Sequence, residues 1–360
     1  MNYTFTPAQK AGAWTASISL PLAFGLTLFP LYYLAHRLAG PLLALWAVFL
    51  LAALPSGIFF TPVLDQAYAL PTVLAVALFW RGLTTRSLVA VAGAAVVLSA
   101  CLLMSLSFLA VVGFLIILTA VHALLAPPSQ PGVWLTSLQE CSPPVADQPA
   151  EKPKTEQLDA SLRVESLRPK GCTPECHCDC PSGPRWLWPL KVCGVLVLGL
   201  VIPLALFQLL TGFDVPRVFL KLLSIASQSV RDQYDRRVAV MTYSKWIWWN
   251  LADVVVFVGL PAALLYLKGW FRLARQLLAT RAAPPEAIFH IAFLLTLLIL
   301  NFSGVTLGEV ARLWIMYMPF LLLLAAQELV ALGLDRSAAF VLLALQFAHA
   351  VVFKLSFSWI

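Results

Sequence analysis

Long apolar runs separated by short polar breaks dominate this chain, and within them the apolar residues do not alternate with polar ones. Runs of roughly 20 apolar residues match the ~30 Å hydrocarbon core of a bilayer. Lipid offers no hydrogen-bond partner to the backbone, so non-alternating runs of this length form helices. The pattern therefore predicts an all-α protein, a polytopic transmembrane helix bundle of about ten spans.

The predicted spans differ in length, and two of them are short. The third and the eighth fall below the usual crossing length, which indicates tilted or buried helices rather than lipid-facing ones. The ten spans lie near residues 15–34, 41–59, 66–80, 87–105, 107–126, 187–212, 250–268, 287–301, 313–331 and 338–356.

Composition agrees with a membrane location, because 61% of the residues are hydrophobic and only 11% are charged. The net charge of +7 could suggest nucleic acid in a soluble chain. Here the Lys and Arg residues lie mainly between apolar segments, where they act as topology signals. We therefore expect an integral multi-pass protein whose partner is membrane lipid, and no nucleic-acid binding.

Basic residues in four short loops set the predicted orientation, since positive loops stay in the cytoplasm. The N-terminus, Asp65 and the 213–249 segment then lie on the outer side. That segment is itself basic, but long translocated segments largely escape the rule. The four loops carry His36 and Arg37; Arg81 and Arg86; Lys268, Arg272, Arg275 and Arg281; and Asp335 with Arg336.

One interval differs in composition from the rest of the chain. Residues 127–186 are rich in proline and in charges of both signs, which is typical of a disordered insertion. It divides the chain into N-terminal transmembrane helices at 1–126 and C-terminal ones at 187–360, with an outer loop at 213–249. The predicted orientation places the insertion in the cytoplasm.

A dense group of sulfur and imidazole ligands lies in that insertion. Such a group can bind Zn or Cu(I). The second ligand pair of a structural zinc site does not follow at the usual spacing, so an incidental loop is the alternative. A reducing cytosol disfavours disulfides there. The group consists of Cys172, Cys176, His177, Cys178 and Cys180.

Polar and ionisable residues gather on the predicted outer face, whereas the cytoplasmic halves of the spans show almost none. Such groups are costly at membrane depth and are therefore candidates for function. The outer set comprises Asp65, Arg236, Arg237, Tyr243, Asn250, Asp253, Asn301, Glu309 and Arg312.

Arg312 is the candidate phosphate ligand in this set, because a guanidinium fork donates two parallel hydrogen bonds and keeps its charge. Glu309, one helical turn earlier, shares its face and can fix the fork. The alternatives are structural. Arg312 could anchor the helix at the interface, Asp65 could cap a helix, and Asp253 could pair with a neighbouring helix.

Several segments taken together resemble the GT-C class of polytopic glycosyltransferases, which use polyprenyl-phosphate sugars. Residues 19–83, with the Tyr-Leu-Ala-His-Arg-Leu-Ala-Gly run that ends at Gly40, are similar to early helices of that class. Residues 88–116 resemble its paired short helices. YSKWIWWNLADVVVFVGLP and SGVTLGEVARLWIMYMPF resemble its later junctions between an outer loop and a helix.

The resemblance implies transfer of a sugar from a polyprenyl-phosphate donor to an acceptor at the outer membrane face. It implies a donor phosphate near the outer ends of the later helices, bound by Arg312 with Glu309, and by Arg236 or Arg237. Asp65, Asn250 and Asp253 would line or brace the cavity, as would Tyr243 and Asn301. A divalent cation at the active site is part of this expectation.

The chain departs from that class at its N-terminus. The class has a first helix and a large outer loop with an acidic general base or metal ligand, and this chain opens after the corresponding point. We therefore expect either an incomplete or a catalytically degenerate enzyme, with Asp65 as the substitute base.

Two other classes of function remain. A transporter or flippase-like protein would bind a lipid phosphate headgroup without chemistry, and a polar route from both sides of the membrane would favour it. The near absence of ionisable residues in the cytoplasmic halves argues against it. The third class is a structural membrane subunit, in which Glu309 and Arg312 only set helix packing.

Overall fold

The computed structural model describes residues 6–59, 63–126, 186–240, 242–280, 283–303, 314–333 and 336–357. Within those ranges every regular element is a helix and no strand is present, which confirms the all-α prediction. A helix satisfies its backbone groups within one segment, as lipid requires.

The N-terminal helices begin with a capping box, in which Thr6 and Gln9 exchange side-chain and backbone hydrogen bonds and Pro7 occupies the first turn. The elements are α1 (Pro7–Leu26), α2 (Leu28–Ala39), α3 (Pro41–Ala52), α4 (Pro55–Phe59), a 3-10 helix (Leu64–Tyr68), α5 (Ala69–Thr85), α6 (Leu88–Met104) and α7 (Phe108–Leu125).

The C-terminal helices follow after residue 186, and together with the N-terminal group they form one compact unit, Met1–Pro128 with Arg185–Ile360. They are α8 (Leu187–Thr211), α9 (Val215–Val240), α10 (Tyr243–Val258), α11 (Leu260–Thr280), α12 (Pro285–Phe302), α13 (Met318–Leu332) and α14 (Arg336–Phe357).

Among the described residues, seven helices are long and apolar enough to cross a membrane. The number of candidate spans rises to eight if the bent pair α10 and α11 is counted as one span. These numbers fit an integral membrane protein and fall short of the ten spans expected from the sequence. The difference arises at α6 and α13, which are apolar but have only 17 and 15 residues.

The shortness of α13 follows from its central position. Eleven of its residues are buried, so the helix contacts protein on all sides and does not need to match the bilayer thickness. Phe320 of α13 packs against Phe114 of α7 and against Phe289 and Phe293 of α12, with ring centroids 5.5–5.8 Å apart. These tilted and edge-on contacts form the centre of the core.

The predicted span at 250–268 is wrong as a continuous helix. α10 ends at Val258, and α11 starts at Leu260 after a bend of 114°. Gly259 has φ +95°, a conformation that glycine adopts without steric cost. Pro261 then occupies the first turn of α11, where its missing N–H leaves no donor unpaired.

The bent pair connects the two ends of α12. Tyr243, at the start of α10, contacts Phe302 at the end of α12, whereas Arg272 of α11 acts electrostatically on Glu286 near the start of α12. α10 therefore starts beside one end of α12, and α11 places Arg272 near the other end. Taken together, the two helices have the length and composition of a broken span or of a re-entrant loop.

The segment predicted as an outer loop, 213–249, is mostly helical. It contains the whole of α9 and the start of α10. α9 carries exposed apolar side chains such as Leu220 and Ile225 beside Arg217 and Lys221, so its apolar residues were too interrupted to indicate a span. An amphipathic helix of this kind suits the membrane interface.

Candidate functional site

Several of the predicted site residues lie outside what the structure describes. They are Glu309 and Arg312, the side chains of Arg236 and Arg237, and the Cys/His group Cys172, Cys176, His177, Cys178 and Cys180. The predicted phosphate contact of Arg312 and the predicted metal site therefore remain predictions.

Three residues predicted to line a cavity come together where α10 begins and α12 ends. Asn250 Nδ2 donates to Asn301 Oδ1 at 2.9 Å, and Asn301 Nδ2 reaches the Ile247 carbonyl at 3.5 Å. Both asparagines are almost fully buried. Tyr243 Oη donates to the Phe302 carbonyl at 2.6 Å. The start of α10 is thus fixed to the end of α12.

A double-mutant cycle measures this connection. Asn250→Leu or Asn301→Leu alone is expected to lower the free energy of unfolding by about 1–2 kcal/mol, because the remaining amide loses a buried partner. The double variant is expected to lose less than the sum, with a coupling of about 0.6–1.7 kcal/mol. Unfolding in dodecyl sulfate micelles measures each value, and strict additivity would contradict a direct bond.

The two predicted acidic residues occupy different places. Asp253 is half-buried on α10, one turn after Asn250, and lies on the same helix as the asparagine contact. Asp65 is half-buried in the 3-10 helix, which packs against α1 and α5. Asp253 therefore shares α10 with the Asn250–Asn301 contact, whereas Asp65 belongs to a different group of helices.

A shallow groove of about 290 Å³ runs along the exposed face of α10. Lys245, Trp248, Trp249 and Ala252 line it, and both indole rings are largely exposed. Exposed tryptophans are also typical of an aromatic belt at a membrane interface. The groove adds an ammonium group beside two aromatic faces, next to the helix start that Tyr243 fixes.

The break at Gly259 is held by a buried side chain from α14. Gln346 Nε2 donates to the Val258 carbonyl, and Gln346 Oε1 accepts from the Ala262 amide at 3.3 Å. A ring nitrogen of His349 also bonds the Val256 carbonyl at 3.0 Å. Backbone groups freed by a break in apolar surroundings need such partners. The sequence interpretation did not include Gln346 or His349.

Lys354 of α14 binds the C-terminal carbonyls of a second helix. Its Nζ donates to the Ile58 and Phe59 carbonyls at 3.1 and 3.2 Å, at the C-terminus of α4. A cation is favourable there because the carbonyls of a helix C-terminus carry partial negative charge. α14 therefore supports both the short helix α4 and the broken helix α10 from one side.

A buried ion pair lies at the opposite end of the bundle. Glu328 of α13, with a side chain only 3% exposed, accepts from Arg272 Nε at 2.7 Å and lies 3.4 Å from Lys268 Nζ. Both cations belong to α11, one turn apart, so they reach the same carboxylate. Glu328 thus has two counter-charges in a buried setting.

Lys268, Arg272 and Glu328 form what we call the inner charged cluster, and polar residues of α12 and α13 adjoin it. His290 is buried beside Gln327, and its Nδ1 and Gln327 Oε1 have no hydrogen bond of ordinary geometry among the described residues. Glu286, one turn before His290, is near enough to Arg272 for their charges to interact.

We expected almost no ionisable residues in the cytoplasmic halves of the spans, and Glu328 is an exception to that expectation. Glu328 lies inside the predicted span 313–331, towards the end that the short basic loops predict to be cytoplasmic. The sequence contained a signal for this ion pair. A carboxylate within LLLLAAQELVAL needs a counter-charge in apolar surroundings, and Lys268 and Arg272 are cations that can provide it.

No protein-family model, no curated protein and no solved structure matches this chain. A function for the chain therefore has to come from its own residues and from the chemistry of the two ends of the bundle.

Proposed function

We propose that this protein binds a polyprenyl-phosphate sugar at the outer membrane face and acts as a membrane glycosyltransferase-like protein. The groove on α10 carries the proposal, since it combines one cation with two exposed indole faces. Aromatic faces pack against the apolar faces of sugar rings and against isoprenoid, and an ammonium pairs with phosphate. A lipid-linked sugar phosphate has all of these groups.

The contacts beneath the groove support this use. Tyr243 and Asn250 fix α10 to α12 on either side of Lys245, so the groove lies on a helix with a defined position. Asn301 lies eight residues before Glu309 in the chain, and α12 ends at Phe302, close to the start of α10. A preorganised surface loses less entropy when a headgroup binds.

The remaining roles in this proposal come from the resemblance to the GT-C class. Arg312, oriented by Glu309, binds the donor phosphate together with Arg236 or Arg237, and Asp65 takes the proton of the acceptor. A divalent cation would neutralise the leaving phosphate. The half-buried position of Asp65 is compatible with a general base.

A second candidate function is a flippase-like translocator of a lipid phosphate headgroup. The inner charged cluster favours it, because polar groups occur at both ends of the bundle, with a broken helix between them. Discontinuous helices near the midplane form the substrate sites of many transporters. The Asn250–Asn301 pair, the Gly259 break and the Lys268, Arg272 and Glu328 group would mark such a route.

Binding of a radiolabelled polyprenyl-phosphate sugar to the protein in nanodiscs tests the proposal. Lys245→Gln with Trp249→Leu is expected to weaken binding about tenfold, because it removes a cation and an aromatic face. The matched control is Lys10→Gln with Trp14→Leu, an exposed Lys and Trp at the same spacing on α1 beside a groove of about 240 Å³. The control is expected to bind normally.

Three outcomes separate the alternatives. Equal weakening by both double variants would reduce the groove to an interface anchor and contradict the proposal. Release of labelled sugar from the donor would support transfer. Movement of a fluorescent polyprenyl-phosphate across proteoliposomes without sugar release would instead favour the translocator.

A further inference from the structure

Three cations form a stripe on one face of α11 at the inner end of the bundle. Lys268, Arg272 and Arg275 are spaced so that they follow one another along the helix. Their side chains reach the surface: Lys268 is 51% and Arg272 33% exposed, and Arg275 is exposed as well. The stripe lies on the side that the short basic loops predict to be cytoplasmic.

The acidic groups described around the stripe do not balance its charge. Glu328 contacts Lys268 and Arg272, and Glu286 is the second carboxylate near Arg272. Three cations against these two carboxylates leave a formal charge of +1. His290, which also faces this cluster, is buried among apolar rings and adds no carboxylate. The surface therefore has a surplus positive charge for an anion.

The two arginines of the stripe also keep hydrogen-bond donors for which the described residues provide no acceptor of good geometry. Glu328 accepts a hydrogen bond from Nε of Arg272. Among the described residues, no hydrogen bond uses the two Nη groups of Arg272. Arg275 makes only a weak contact, from Nε to the Phe271 carbonyl at 3.4 Å. Because Glu328 holds the Arg272 guanidinium in place, its fork is preorganised for a phosphate group.

Exposed apolar side chains adjoin the cations on the same helix. Phe271, 70% exposed, lies between Lys268 and Arg275, and Leu264 and Leu267 continue the exposed surface towards the middle of the span. A soluble anion would gain nothing from this apolar strip. A phospholipid would place its acyl chains along the leucines and its phosphate at the cations.

We infer that this face of α11 is a binding site for the phosphate headgroup of an anionic phospholipid in the inner leaflet. The inference does not depend on the proposed function, because it concerns the opposite end of the bundle. Lys268, Arg272 and Arg275 bind the phosphate, Glu328 positions Arg272, and Phe271 with Leu264 and Leu267 contacts the acyl chains.

Lipid binding to the purified protein in neutral detergent tests the site. Native mass spectrometry compares phosphatidylglycerol with phosphatidylcholine, and the test variant is Lys268→Gln with Arg275→Gln, which keeps the Arg272–Glu328 bond. The control, Arg81→Gln with Lys191→Gln, removes two exposed cations from α5 and α8. The test variant is expected to bind phosphatidylglycerol about tenfold more weakly, since each cation contributes to attraction of an anionic lipid.

The control variant is expected to bind phosphatidylglycerol like the unmodified protein, and phosphatidylcholine binding should not change in either variant. Equal weakening in both variants would overturn the site, because the effect would then follow total charge. Competition by inorganic phosphate alone, with no preference for the lipid, would overturn the assignment to a phospholipid.

Discussion

Replacing both cations beside Glu328, Lys268→Met with Arg272→Met, is expected to lower the free energy of unfolding by about 3–5 kcal/mol. Glu328 is 3% exposed, so its carboxylate cannot regain water in the folded protein. Removing both counter-charges leaves a buried, uncompensated charge, which costs more than the pair itself contributes. Arg272 dominates the effect, because its contact of 2.7 Å is the shorter one.

The opposite substitution distinguishes this cause from a loss of packing. Glu328→Gln leaves two cations that are 51% and 33% exposed and can be hydrated, so its cost is expected to be about 1 kcal/mol. Glu328→Gln added to the double Met variant should recover more than half of the loss. Replacement of ion pairs by neutral groups of similar volume is often close to neutral.

Unfolding in dodecyl sulfate micelles, followed by tryptophan fluorescence, measures these differences. The control is Arg81→Met with Lys191→Met, whose exposed side chains are expected to change stability by less than about 0.5 kcal/mol. A loss below about 1 kcal/mol for the Lys268 and Arg272 variant would show that the Glu328 carboxylate keeps other partners.

The helical segments were predictable from the sequence because hydrophobic runs of this length have one stable form in lipid. The number of spans was not. α13 is apolar apart from Gln327 and Glu328 but spans only 15 residues, because protein surrounds it and lipid does not set its length. Hydropathy measures how apolar a segment is, and it does not distinguish a lipid neighbour from a protein neighbour.

The break between α10 and α11 had a local signal that the interpretation by hydropathy passed over. Gly259 followed by Pro261 is typical of one helix ending and another beginning. Its stabilisation by Gln346 could not be predicted, since that residue is far along the chain and its bond to Val258 is a product of tertiary packing.

Three residues that meet at α10 and α12 could be chosen from the sequence, but their contacts could not. Tyr243, Asn250 and Asn301 were chosen because polar groups are costly in lipid, and the structure joins them across α10 and α12. Spacing along the chain contains no information about that pairing. Glu328 was missed for the converse reason, because one acidic residue in an apolar run does not change the hydropathy of its segment.

Gly259→Ala is expected to lower the free energy of unfolding by about 3–5 kcal/mol, through two independent causes. At φ +95° a side chain with a Cβ is strained. The added methyl group would also lie 2.6 Å from Gln346 Cδ, so the amide would have to move. That movement breaks its bonds to Val258 and Ala262, which leaves backbone groups unpaired in apolar surroundings.

Gly113→Ala in α7 is the matched control. No atom lies within 4 Å of the position that its Cβ would occupy, and its helical backbone suits alanine. Its stability is expected to stay the same or to rise by about 0.5–1 kcal/mol. Gln346→Leu is expected to lower the free energy of unfolding by about 2 kcal/mol by itself. Gly259→Ala in the Gln346→Leu background should lower it by less than in the unmodified protein, because the clash with the amide is gone. If Gly259→Ala were as harmless as Gly113→Ala, the bend would not be fixed by Gly259 and Gln346, and α10 with α11 would be free to straighten into one span.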